Sequence, residues 1–187
     1  MTFLAPCGGV LVRLLWRGPM AKALPPKIDI ELTAMAGRAA VPFLRKHLAA
    51  ACKFLPKNQL RQVSVVLVGD VRMAGLHAKS HNDPTPTDVL TYELESDDRG
   101  RVSEGEIIIC VPEARRRVGR DTMGVHRELL LYAIHGMLHL CGLDDRTKKG
   151  FELMHRKEDE ILTAVGVGAV FAPASSSTRA GERVVRQ

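Results

Sequence analysis

From Leu129 to Leu140 the chain carries no Asp, Glu, Lys or Arg. Read at the helical period, this stretch is apolar almost all round. A helix of that kind must be buried, so the rest of the chain has to cover it from several sides. His135 and His139 lie on it four residues apart. Positions i and i+4 sit one above the other on a single face, so both imidazoles can address one metal ion. Gly142 follows, and glycine suits the left-handed backbone that ends many helices. Beyond it the chain can turn back and bring Asp144 or Asp145 to the same point. Two nitrogens and one oxygen would leave a coordination position open, which separates a catalytic zinc site from a closed structural one.

A histidine pair at this spacing also arises by chance, and three features set this one apart. Buried imidazoles without partners are costly. Gly136 sits between the two rings although glycine costs a helix about 1 kcal/mol relative to alanine. Close approach of another group at that point would explain it. Finally, the helix stop is followed at once by two carboxylates.

A chain of 187 residues is long enough to bury such a helix within one domain. Its hydrophobic fraction of 45% and charged fraction of 26% are those of a soluble globular protein. The net charge of +6 suits a polyanionic partner. Cys7, Cys52, Cys110 and Cys141 are scattered, with no Cys-x-x-Cys. That pattern points to a reducing, cytoplasmic compartment and away from a cysteine zinc site. Cys141 falls on the wrong helical face to join the two histidines.

Residues 1–26 read as an N-terminal extension closed by Pro25-Pro26. Its apolar run, Gly9 to Trp16, is broken by Arg13 and is too short to span a membrane. No clean signal-peptide cleavage site follows, and Met20 offers an alternative start. Residues 169–187 read as a disordered basic tail able to add weak affinity for RNA. Between them, residues 27–168 form the domain. Strands are expected at Ile28 to Leu32, Gln62 to Val68, Asp88 to Leu94 and Glu106 to Val111. Helices are expected from Ala39 to Phe54, Val71 to Ser80 with Asp70 as N-cap, Pro112 to Gly119, His126 to Cys141, and Thr147 to Val165. The fold class is therefore α+β: a small mixed sheet of about four strands with about five helices packed on it.

Against this background, His135-Gly136-Met137-Leu138-His139-Leu140-Cys141-Gly142-Leu143-Asp144-Asp145 resembles the signature of the YbeY family, His-Gly-x-Leu-His-Leu-x-Gly-Tyr-Asp-His. Pro86-Thr87-Asp88-Val89-Leu90-Thr91-Tyr92 resembles its Pro-Thr-Asp-Val-Leu-Ser-Phe segment, and Gly105 to Cys110 its Gly-Asp-Ile-x-Ile-Cys. Glu158-x-x-Ile161-Leu162 resembles its closing helix. The similarity runs from about Ile28 to Val165. It implies a single-strand-specific, metal-dependent endoribonuclease of ribosomal RNA maturation, acting at the 3′ end of 16S rRNA. It also implies one zinc ion on His135, His139 and Asp145, and partners among ribosomal RNA, the ribosome and small-subunit assembly proteins, with no membrane. Leu143 stands where the family has tyrosine, and Asp145 where it has a third histidine. The anionic ligand would make bound water harder to deprotonate and would admit harder metals such as manganese. His81 stands where the family has an arginine thought to help catalysis, and His77 where it has an asparagine.

His81 is accordingly the candidate catalytic residue, a pH-dependent stand-in for a guanidinium that contacts phosphate. His77 is read as a surface or packing residue. Arg115, Arg116 and Arg120 belong to the densest basic run and are the candidate RNA contacts, though such a run is often a solvated helix face. Aromatics are only 4% of residues, so base stacking is not expected to carry binding. Glu128, two turns before His135, and Asp88 are each either a partner of the metal ligands or an ordinary structural residue. Two other functions remain at this stage. A zinc metalloprotease would need His-Glu-x-x-His, and Gly136 occupies the place of its general base. A metal-stabilised RNA- or ribosome-binding module without nuclease activity would tolerate the changes at Asp145 and His81.

Overall fold

The computed structural model describes residues 27–171. The N-terminal extension, Cys7 and residues 172–187 of the tail lie outside the described residues. Strand β1 spans Asp29–Ala34 and is followed by helix α1, Val41–Ala51, which a short 3-10 turn introduces. Then come β2, Gln62–Val68, and α2, Asp70–His81. Strands β3, Val89–Ser96, and β4, Val102–Cys110, form an antiparallel pair. Helices α3, Val111–Val118, α4, Thr122–Leu140, and α5, Lys148–Ala164, complete the domain.

The sheet order is β1-β2-β4-β3, with β1, β2 and β4 mutually parallel. The α+β expectation of four strands and five helices holds among the described residues. Alternation along each strand divides the core in two. Val63, Val65 and Leu67 of β2 and Ile107 and Ile109 of β4 face the larger cluster, which includes most of α4. Val66, Val68, Ile108 and Cys110 face the smaller one, covered by Met73 and Leu76 of α2. Helix α4 therefore lies on one face of the sheet and α2 on the other. Strand β3 is an edge, and side chains from both helices meet beside it.

The long apolar stretch is the buried helix its composition requires: twelve residues of α4 are buried, from Val125 to Leu140. Glycines set how close it lies. A Cβ on Gly136 would sit 2.8 Å from a methyl of Ile107 and 2.9 Å from the Thr91 hydroxyl. A Cβ on Gly105 would sit 2.5 Å from Leu140. Helix α4 thus packs on β3 and β4 at a distance that only glycine permits, one glycine on each partner.

Most boundaries shift by a few residues from the sequence reading, and three differences bear on packing. Strand β4 starts at Val102 rather than Glu106, because Gly105 and the polar residues before it mask a strand that tertiary packing requires. Helix α4 starts at Thr122 rather than His126, capped by the Asp121 carboxylate, which accepts from the Met123 amide at 3.0 Å. Asp70 is not the N-cap of α2: Gly69 takes that position with extended backbone. The Asp70 carboxylate instead accepts from Arg116 at 2.8 and 3.0 Å. No helix among the described residues is long and apolar enough to cross a membrane.

Candidate metal centre

The C-terminal end of α4 is built to hold two rings in fixed tautomers. At Gly142, φ is +89°, a left-handed turn. The Gly142 amide donates to the His139 carbonyl at 2.8 Å and the Leu143 amide to the Leu138 carbonyl at 3.1 Å, closing the helix. That cap turns the Leu143 carbonyl onto the His139 ring, where it accepts from Nδ1 at 2.9 Å. On the other side Glu158 of α5, only 1% exposed, accepts from His135 Nδ1 at 2.7 Å. A carbonyl and a carboxylate can only accept, so each ring carries its proton on Nδ1 and presents Nε2 as a lone pair.

The two Nε2 atoms lie 2.9 Å apart. The Asp145 carboxylate faces both, at 3.8 Å from His135 Nε2 and 3.9 Å from His139 Nε2. One donor atom from each of the three residues lies within 4.8 Å of the others. Two lone pairs and an anion so placed repel one another unless a cation stands between them. The three residues therefore fit a divalent metal, and two imidazoles with one carboxylate is a known catalytic zinc set. Burial opposes the charged form of His135, but the Glu158 hydrogen bond and the charges of Glu158, Asp145 and Asp88 outweigh it, and its pKa is raised.

Of the two aspartates, Asp145 is the one that joins the two rings. Asp144 lines the same cavity but is gripped by Arg146 through contacts of 2.7 to 2.9 Å. That pairing, with the Arg146 amide, lowers its pKa to about 2.

The triad opens into a cavity of about 580 Å³. Its far wall includes His77 and His81 of α2, and Thr91 and Glu93 of β3 contribute to its lining. His81 therefore shares a cavity with the triad. His77 lines it too, although the sequence reading made it a surface or packing residue. The Thr85 carbonyl accepts from His77 Nδ1 at 2.8 Å. Ser80 Oγ donates to the Leu76 carbonyl at 3.0 Å, so it accepts from His81 Nδ1 at 2.8 Å. Both rings thus leave Nε2 uncommitted by these bonds.

Other expected residues fall elsewhere. Glu128 pairs with Arg117 at 3.3 Å and makes no contact with the histidines among the described interactions. The Asp88 carboxylate accepts from its neighbours, the Val89 amide and the Thr87 hydroxyl, at the start of β3. Arg116 spends its guanidinium on Asp70 and Glu113. Arg115 and Arg120 line a separate cavity of about 460 Å³ at the start of α4. From Thr122 to His139 the helix rise alone is about 25 Å, so the arginine cluster is remote from the triad. Cys141 packs against the core, and burial pushes its thiol up to about 12.

Glu158 entered the sequence reading only as part of the closing-helix motif, with no role at the site. Its signal was present: Met154, Glu158, Ile161 and Leu162 form the buried stripe of α5, and one of the four is charged. A carboxylate on an apolar stripe requires a partner.

Fold and triad together define a small α+β protein with a candidate mononuclear metal centre beside an edge strand. Residues 31–166 match the sequence model of the family described as Endoribonuclease YbeY, and the chain belongs to that family. A protein named Endoribonuclease YbeY from Thermobifida fusca is 33% identical over 139 residues, 68% of this chain and 90% of that one. One of the same name from Anaeromyxobacter is 32% identical over 146 residues, 78% of this chain and 76% of that one. A third, from Geobacillus thermodenitrificans, is 33% identical over 64% of this chain and 81% of its own length. A solution structure from Thermotoga maritima is 27% identical, covers 72% of this chain, and gives a TM-score of 0.47.

Proposed function

We propose that this protein is a metal-dependent endoribonuclease that cuts single-stranded ribosomal RNA, at the 3′ end of 16S rRNA, during ribosome maturation in the cytoplasm. The observation that carries this reading is the convergence of His135 Nε2, His139 Nε2 and the Asp145 carboxylate on one point, at the wall of an open cavity. Relatives at about one-third identity carry the name endoribonuclease.

His135, His139 and Asp145 would hold one divalent cation, zinc by their donor chemistry. Such an ion supplies Lewis acidity toward a phosphodiester and lowers the pKa of water bound to it. Glu158 and the Leu143 carbonyl keep the two rings in the tautomer that binds metal. His81, with His77 beside it at a ring separation of 5.1 Å, lines the opposite wall. When protonated, His81 Nε2 donates to a phosphate oxygen and stabilises the charge that develops there. Arg115 and Arg120 are proposed as distal phosphate contacts. Arg116 is left out of that role because Asp70 and Glu113 already hold it. Small-subunit assembly proteins are the expected protein partners.

Gly136 speaks against peptide hydrolysis. A glutamate there would have to pass through Ile107 and Thr91, so the general base of a zinc protease has no room.

The test is cleavage of a single-stranded RNA by the full chain, with and without chelator, beside elemental analysis for bound metal. His139→Ala is expected to lose metal and cleavage together. Full cleavage by the metal-free variant would refute the scheme. RNA binding by the metal-loaded wild type with no cleavage would favour a purely binding role.

A further inference from the structure

Glu158 does not stop at His135. Its Oε1 accepts from His135 Nδ1 and its Oε2 accepts from His155 Nδ1, both at 2.7 Å. His155 lies three residues earlier on α5, so one helix supplies both the carboxylate and its second donor. The His155 ring is itself clamped. Phe171 stacks on it with centroids 3.8 Å apart and planes 22° from parallel. Phe151 meets it edge-on at 4.0 Å.

Phe171 reaches this position because the chain folds back after α5. Gly166 and Gly168 take φ of +82° and +91°, and the Val167 amide closes onto the Leu162 carbonyl at 2.9 Å. The returning segment is then fixed on α5 by Asp159, whose carboxylate accepts from the Val170 and Phe171 amides at 2.6 and 3.0 Å. Val170 and Phe171, which the sequence assigns to the tail, thus lie against α5.

We propose that His155, held by Phe171 and Phe151, is a positioning residue for the metal centre, acting on His135 through Glu158. A carboxylate with one donor can rotate about its terminal torsion, which is soft. A second donor on the other oxygen fixes its plane, and with it the line along which Oε1 meets His135. Because Glu158 is buried, its Oε2 has no ready access to solvent that could replace a lost donor. The inference rests on the metal reading above but concerns residues that touch neither metal nor RNA.

The test uses the full chain and zinc, with affinity measured by competition against a chromophoric chelator. The thermal midpoint of each metal-free variant is recorded alongside. His155→Leu keeps bulk and removes the donor, and is expected to weaken zinc binding about 10-fold or more, as loss of an outer partner does. His155→Asn places an amide N–H where Nδ1 was and should recover most of that loss. Phe171→Ala leaves the donor but frees the ring, and should weaken zinc by a smaller factor. It also carries the test if His155→Leu does not fold.

A merely structural role would lower the metal-free midpoint equally in the Leu and Asn variants without separating their zinc affinities. Zinc affinity unchanged in His155→Leu and Phe171→Ala, with normal uptake by the wild type, overturns this proposal alone. A wild type that takes up no zinc overturns the metal reading and this proposal with it.

Discussion

The cavity has a histidine pair on each wall, and both pairs are four residues apart on a helix. On α4 the rings stand nearly perpendicular, 86° between planes, with centroids 4.5 Å apart, and an aspartate closes over both. On α2 the rings are 5.1 Å apart and 48° from parallel, and no third metal-ligating group joins them among the described residues. The α4 pair is fixed by a buried carboxylate and by the carbonyl of a helix cap. The α2 pair is fixed by a loop carbonyl and an exposed serine. Spacing alone therefore does not make a metal site. It places two rings on one face, and the surroundings decide whether a third ligand arrives and whether the rings are held rigidly enough to bind.

The sharpest way to break this contrast is to remove one ring from each wall. His139→Ala should abolish zinc uptake and RNA cleavage, whereas His81→Ala should keep a full equivalent of zinc by elemental analysis. Cleavage by His81→Ala should still fall, by about 100-fold if its ring donates to phosphate in the transition state. Loss of zinc in His81→Ala would show that the two walls form one ligand set.

Acidity tests the α4 side as well. Without metal, and against the effect of burial, the pKa of His135 is raised above the ordinary histidine value of 6.5 by Glu158, Asp145 and Asp88. The protonated ring is therefore favoured by folding. Its contribution to metal-free stability is fully present below pH 6.5 and is lost as pH rises through the raised value. Zinc must displace that proton, so zinc affinity should fall as pH drops through the same range. In His135→Ala the associated step in metal-free stability should be gone, as pH-dependent thermal melts would reveal.

The helices also differ in how their glycines pack. Gly136→Ala forces a methyl group against Ile107 and Thr91 and should cost about 1–3 kcal/mol in thermal or denaturant unfolding. Gly75 on α2 has nothing within 4 Å of a new Cβ. Gly75→Ala should instead stabilise by about 0.5–1 kcal/mol. The smallest expected effect lies farthest away. Arg115→Ala with Arg120→Ala should weaken RNA binding modestly and flatten its salt dependence by up to about two units of slope, leaving zinc affinity unchanged.

Residues on a single element were the most legible. The buried helix, the His135–His139 face, the need for close approach at Gly136 and the helix stop at Gly142 all follow from local spacing, and the structure bears each out. The order of strands and helices was legible for the same reason. Where local polarity cut across a strand, as at Ser103 and Glu104 of β4, the reading stopped short. Arg116 read as part of a basic run, but Asp70 claims it across 46 positions of chain.

What the sequence determined by itself was periodicity: which helix must be buried, which two rings share its face, and where it ends. What only the tertiary structure decided was convergence. It chose Asp145 over Asp144, brought Glu158 onto His135 from 23 residues away, and set His77 and His81 across the cavity from the triad. The physical reason is range. Backbone geometry repeats over a few residues and is written in each short window, whereas a hydrogen bond between two helices depends on how every intervening side chain packs them together.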